Sequence, residues 1–161
     1  MKDKLKIKNA VIIGGTSGIG LELTRQLCGR GVRVAVTGRR RELLAELENE
    51  LGHNCIGRYM DVSNYDQARE CLADIIRQLG GMDLIVISAG TGLIDKEHSW
   101  EKEKNTLDVN VTGFAAIANA AFKYFSQRNE GLLVGISSIA AIRGGEVPAY
   151  FASKAFVHNY L

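Results

Sequence analysis

The sequence predicts an α/β fold, a doubly wound parallel sheet with strand order 3-2-1-4-5. Three observations lead there. Short β-branched runs alternate along the chain with longer segments of helical period. The runs are apolar throughout instead of alternating with polar residues, which is what strands covered on both faces require. Right-handed crossovers between successive parallel strands then leave 3-2-1-4-5 as the order. With 161 residues, 46% of them hydrophobic, the chain can bury one sizeable core. No repeat, low-complexity tract or linker interrupts it, so a single domain spanning residues 1–161 is expected.

The elements follow in order. "MKDKLKIK" is basic, but the apolar run behind it lasts only from Ala10 to Ile13 before glycines end it. That is too short for a secretory signal and suits a strand over 10–14. A helix from Gly18 to Arg30 puts Leu21, Thr24, Leu27 and Cys28 on one face and stops at Gly31. "VRVAVT" (32–37) is the second strand, and residues 40–51 form a helix with leucines at 43, 44, 47 and 51. "CIGRYM" (55–60) is the third strand. "SNYDQARECLADIIRQLGG" is a helix capped by Ser63 or Asn64 and ended by two glycines. "DLIVIS" (83–88) is the fourth strand, and a long helix runs from about Trp100 to Gln127. Trp100 is expected to anchor its start by packing, and "WEKEKNT" to be a solvated first turn. "GLLVGIS" (131–137) is the fifth strand, and a last helix carries "YFASK".

Composition narrows the function. Twenty basic against eighteen acidic residues, with no long basic run, argue against a nucleic-acid partner. No stretch approaches the ~20 apolar residues that cross a bilayer, so no membrane partner is expected and the cytoplasm is the expected location. Cys28, Cys55 and Cys71 form no Cys-x-x-Cys pair and read as buried thiols in a reducing compartment. His53, His98 and His158 are scattered without neighbours at ligand spacing, so no metal site is expected.

The chemistry-bearing motifs sit at strand ends. "GGTSGIG" (14–20) links the first strand to the first helix. Gly14, Gly18 and Gly20 clear the backbone for a pyrophosphate, which would face the open amides and positive end of that helix. The whole loop, including Thr16, Ser17 and Ile19, is the expected dinucleotide contact of a Rossmann-type domain. At the end of the second strand an NAD site would place a carboxylate for the ribose hydroxyl, whereas this chain has Arg39, Arg40 and Arg41. Arg39 there favours NADP (NADPH) over NAD, with Arg40 and Arg41 as a solvated start to the next helix. Tyr150 and Lys154, four residues apart, share a helix face. A nearby ammonium favours the phenolate form of a tyrosine. Ser137 and Ser138, just upstream, offer hydroxyls to a substrate carbonyl.

Together these residues resemble the short-chain dehydrogenase/reductase family over nearly the whole chain. The family's Thr-Gly-x-x-x-Gly-x-Gly loop matches at Gly14, Gly18 and Gly20, with Ile13 in place of the threonine. Its adenine-side aspartate and valine match Asp61 and Val62. Its Asn-Asn-Ala-Gly strand end becomes Ile87-Ser88-Ala89-Gly90, which keeps Ala89 and Gly90 beside the nicotinamide-side ribose. Its helix asparagine matches Asn110. By this resemblance Tyr150 is the general acid/base, and Lys154 binds the ribose and eases ionisation of the tyrosine. Ser138 positions the carbonyl, and Asn110 holds a water in a proton relay. The loop after the fifth strand is one residue shorter than the family's, which makes Ser137 the rival of Ser138.

The resemblance implies an NADP-dependent oxidoreductase that interconverts a small-molecule carbonyl and an alcohol by hydride transfer, working as a homo-oligomer. Family members continue past this last helix with further strands and a mobile substrate loop. A truncated frame or a piece of a longer parent is therefore expected, with an exposed fifth strand that would tend to self-associate. The alternative is a non-catalytic nucleotide-binding fragment or interaction module derived from such an enzyme.

Overall fold

The computed structural model describes residues 6–92, 97 and 99–161; His98 lies outside the described residues. Five strands, β1 (Asn9–Ile13), β2 (Arg33–Gly38), β3 (Cys55–Tyr59), β4 (Leu84–Ile87) and β5 (Leu132–Gly135), form one sheet. Its order is β3-β2-β1-β4-β5 and every pairing is parallel, as the sequence predicts.

Burial explains the unbroken apolar strands. In β1, Val11 and Ile13 face one core while Ala10 and Ile12 face the other, and β4 divides the same way into Ile85 and Ile87 against Leu84 and Val86. The first core is closed by α3 (Tyr65–Leu79), α5 (Phe114–Arg128) and α6 (Pro148–Tyr160), through Leu72, Ile75, Phe114, Ile117 and Val157. The second is closed by α1 (Gly18–Gly29) and α2 (Arg41–Leu51), through Cys28, Leu44 and Leu47. Burying each Leu, Ile or Phe contributes roughly 1.5–3 kcal/mol, so both faces drive the same topology.

Four expectations are corrected. The long helix is not uniform: α4 (Trp100–Leu107) passes into a π-helical turn (Asp108–Gly113) before α5 begins. The extra residue in that turn rotates Val109, Asn110 and Gly113 inward, which a periodicity reading cannot detect. Trp100 is 62% exposed and anchors nothing by burial. Cys71 is only half-buried, unlike Cys28 and Cys55. Arg40 is held by hydrogen bonds at the glycine loop, described below, and is not simply solvated.

The two sheet edges differ. On β3, the Gly57 amide donates to Glu48 Oε1 at 2.8 Å and the Gly57 carbonyl accepts from Arg58 Nη1 at 2.8 Å. The Cys71 thiol donates to the Tyr59 carbonyl at 3.7 Å. These side chains occupy groups that an added strand would use. No such side-chain bond is seen on Leu132–Gly135 of β5 among the described residues.

Two outcomes are expected. Glu48→Ala strands the Gly57 amide and should lower stability in urea by about 1–2 kcal/mol, with increased light scattering at high concentration. Burial, then the neighbouring Cys28, Glu48 and Glu50, pushes the Cys55 thiol up to about 12 from its ordinary 9.0, and burial raises Cys28 as well. The folded chain keeps protons that the unfolded chain releases above about pH 9, so these thiols stabilise fully below that pH and progressively less towards 12. Urea midpoints should fall across that window, and Cys55→Ala should flatten the fall.

Candidate functional site

The strands end together at the carboxyl edge of the sheet, where open α/β folds place their sites. The chain leaves β1 through Gly14, whose φ of +82° suits glycine. A Cβ there would lie 2.5 Å from the Ala89 backbone. The amides of Gly14 and Gly15 both donate to the Thr37 carbonyl, at 3.1 and 2.9 Å, which ties the loop to the end of β2. α1 then opens at Gly18, and its first-turn amides have no intrahelical acceptors. Ser17, at the N-cap position, makes no capping bond. Its hydroxyl instead accepts from Arg40 Nη2 at 2.8 Å, and Thr16 Oγ1 accepts from Arg40 Nη2 at 2.8 Å and Nε at 3.2 Å.

A cleft of about 610 Å³ lies along this edge, within the range of small-molecule and cofactor sites. It is lined by Gly14, Thr16, Ser17, Gly18 and Ile19 of the glycine loop, and by Arg39 and Arg40 at the end of β2. Asp61, Val62, Ala89 and Gly90 line it as expected, whereas Tyr150 and Lys154, also expected to touch the cofactor, are not among its lining residues. Gly20 sits behind the loop, where a Cβ would run into the Gly14 carbonyl. Asp61 Oδ1 accepts from the Ser63 amide and hydroxyl, at 3.0 and 2.7 Å, which fixes the turn after β3. Thr37, Met60, Ser88, Thr91, Val109 and Ile136 also line the cleft and were not foreseen. The Thr37 hydroxyl is buried without a partner. Donors at a helix start, a glycine cradle that Cβ atoms would fill, and arginines at one end fit a phosphorylated dinucleotide.

Asn110 and Lys154 stand beside the cleft at Gly90, Tyr150 lies against Gly92, and Ser138 follows two residues after the cleft-lining Ile136. Gly90 lies against two buried polar groups: a Cβ there would be 3.4 Å from both Asn110 Oδ1 and Lys154 Nζ. Lys154 is buried, donates to the Ile136 carbonyl at 2.9 Å, and has its ammonium pushed below its ordinary value by that burial. Its Nζ is 5.7 Å from the centre of the Tyr150 ring. The ring packs on the backbone of Gly92 so closely that a side chain at 92 would collide with it.

The two serines are placed differently. Ser137 Oγ donates to the Lys154 carbonyl at 3.0 Å, so its proton is spent on α6. Ser138 Oγ accepts from the Ala140 amide at 3.1 Å as N-cap of the 3-10 turn Ile139–Ile142, and a hydroxyl in that role keeps its proton to donate. Asn110 has both its donors engaged. Its Nδ2 donates to the Thr91 carbonyl at 2.7 Å and to Ser153 Oγ at 2.9 Å, while Oδ1 accepts from the Thr91 amide at 2.8 Å. From the sequence Arg40 reads as a solvated helix start, and Ser153 is not singled out. One of three consecutive arginines turning back on the loop has no sequence signal, whereas a serine inside a helix turn is a weak one.

Among the described residues, no group of three or more His, Cys, Asp or Glu is placed to hold a metal ion, and no helix is long and apolar enough to cross a membrane.

Known proteins share this architecture. The family model described as short chain dehydrogenase matches residues 8–161. An uncharacterized oxidoreductase of Myxococcus xanthus is 36% identical over 98% of this chain and 65% of its own length. The NADP-dependent 3-hydroxy acid dehydrogenase YdfG of Escherichia coli K12 is 34% identical over 93% of this chain and 62% of its own. The chain thus spans 62–65% of the length of these relatives. Serine dehydrogenase from Escherichia coli superposes with a TM-score of 0.87 at 32% identity, covering 94% of this chain and 72% of that one. Its closed form complexed with NADP+ gives 0.88 at 32% identity, covering 94% and 63%. By its sequence match, its five-stranded parallel sheet and the placement of its glycine loop, this chain belongs to the short-chain dehydrogenase family.

Proposed function

We propose that the chain is the cofactor-binding and proton-transfer portion of an NADP-dependent oxidoreductase that interconverts a carbonyl and an alcohol. The observation that carries this reading is a single cleft with arginines at one end and the Lys154–Tyr150 pair beside the other. Arg39 and Arg40 face the position that would hold an adenosine 2′-phosphate, and no carboxylate stands at the end of β2 to favour NAD. Two relatives carry NADP in their names, which supports the same cofactor here.

When bound, the reduced nicotinamide supplies the hydride that goes to the carbonyl carbon. The chain's own residues do the rest. The glycine loop and the start of α1 would hold the pyrophosphate, Asp61 and Val62 the adenine, and Ala89 and Gly90 the second ribose. Lys154 holds that ribose and lends positive charge to the neighbouring phenol. Tyr150 gives its hydroxyl proton to the carbonyl oxygen in reduction and recovers it in oxidation. Ser138, with its proton free, donates to the same oxygen, and this favours it over Ser137. Because both Nδ2 protons of Asn110 are committed, a relay water at this position can only donate, to the second lone pair of its Oδ1.

The relatives' names point to 3-hydroxy acids, serine among them, as the first substrates to test. A homo-oligomer in the cytoplasm is part of this proposal.

NADPH should bind to the 161-residue chain, followed by cofactor fluorescence, and more tightly than NADH. Arg39→Glu should weaken NADPH by about ten- to a hundred-fold and leave NADH nearly unchanged. Equal affinity of the unmodified chain for both cofactors would remove the NADP assignment. NADPH oxidation by 3-oxo acids tests turnover. Tyr150→Phe should abolish it without weakening NADPH, and tight NADPH binding with no turnover of any carbonyl compound would leave a non-catalytic binding module.

A further inference from the structure

Ser153 lies between Tyr150 and Lys154 on α6, and none of its surface is exposed. A buried hydroxyl left unpaired costs roughly 1–3 kcal/mol. This one is paired twice. Its proton goes to the Tyr150 carbonyl at 2.7 Å, and its oxygen receives Asn110 Nδ2 at 2.9 Å. The rest of the Asn110 amide pairs with both backbone groups of Thr91, which lines the cleft. The next residue, Gly92, bears the Tyr150 ring.

From this connectivity, and resting on the oxidoreductase reading above, we infer that Ser153 is a positioning residue: through Asn110 it joins the cleft wall at Thr91 to the peptide that carries the Tyr150 phenol. The wall is held to the tyrosine at two points, by ring contact at Gly92 and by this hydrogen-bond chain. The π turn lets Asn110 reach both Thr91 and α6, since it turns the side chain inward between them. Ser137 and Lys154 tie the same helix to the end of β5, through the Lys154 carbonyl and the Ile136 carbonyl. α6 is thereby fixed to two walls of the site, and Ser153 is the only one of these ties that ends on the tyrosine's own peptide. A serine that merely bonded back to its own helix would leave the tyrosine ring indifferent to its removal.

The test uses the full 161-residue chain labelled with 3-fluorotyrosine. It has five tyrosines, and Tyr150→Phe assigns the fluorine resonance of interest. Without cofactor, the unmodified chain should show one sharp Tyr150 line. In Ser153→Ala that line should split or broaden while those of Tyr59, Tyr65 and Tyr124 keep their positions. Should Ser153→Ala fail to fold, Asn110→Leu removes the same bond from its other end and is read the same way. The double variant Ser153→Ala, Asn110→Leu should disturb the line no more than the larger single effect, because both act on one chain of bonds. A sharp, unshifted Tyr150 line in the folded Ser153→Ala protein would overturn the inference. These readings are made without cofactor, so a separate failure of NADPH to move the Tyr150 line in the unmodified chain would count against the proposed function alone.

Discussion

The Thr37 carbonyl accepts two amides at once, those of Gly14 and Gly15, and the geometry of the site depends on that shared acceptor. It brings the end of β2 against the loop leaving β1, so that the residues after Thr37 and those after Gly15 face each other. The contact of Arg40 with Thr16 and Ser17 follows from this proximity. So does the placement of α1: with the loop before it tied to the end of β2, the start of the helix lies along the cleft. The Ala89 backbone closes the other side of Gly14, which leaves no room for any residue but glycine there.

The opposite end of the cleft is organised by polar groups that burial makes obligatory. Lys154 is withdrawn from water with a carbonyl as its hydrogen-bond partner, an arrangement that costs stability unless something else is gained. Ser153 and Asn110 pair with each other and with the surrounding backbone, and Ser137 gives its proton to the Lys154 carbonyl, so no donor is wasted. Fully satisfied networks of this kind rigidify a site, and a partly satisfied one would do the reverse. Ser138 differs, since its bond to Ala140 uses a lone pair and leaves the proton available.

Much of this was legible in the sequence, for identifiable reasons. Strands such as Ala10–Ile13 are recognisable because both their faces are buried, and the parallel order follows from the handedness of crossovers. The ten cleft-lining residues expected from the sequence sit on loops at strand ends, and the topology gathers those loops at one edge. What stayed hidden depends on rotation and reach. The π turn adds one residue to a helix whose apolar pattern, "VNVTGFAAIANAAF", tolerates it. Arg40 and Arg41 have the same neighbours in sequence, yet one bonds the glycine loop and the other stacks on Tyr59, with 4.1 Å from guanidinium to ring centre. Trp100 suggests burial by its chemistry but stands exposed at the start of a short polar helix.

The unequal margins of the sheet bear on how copies of this polypeptide would stack. Fibrils propagate only when every added unit presents a fresh adhesive border after docking. Here Glu48, Arg58 and Cys71 plug the β3 border, so a copy arriving from that side finds its ladder groups already taken and gains no foothold for further growth.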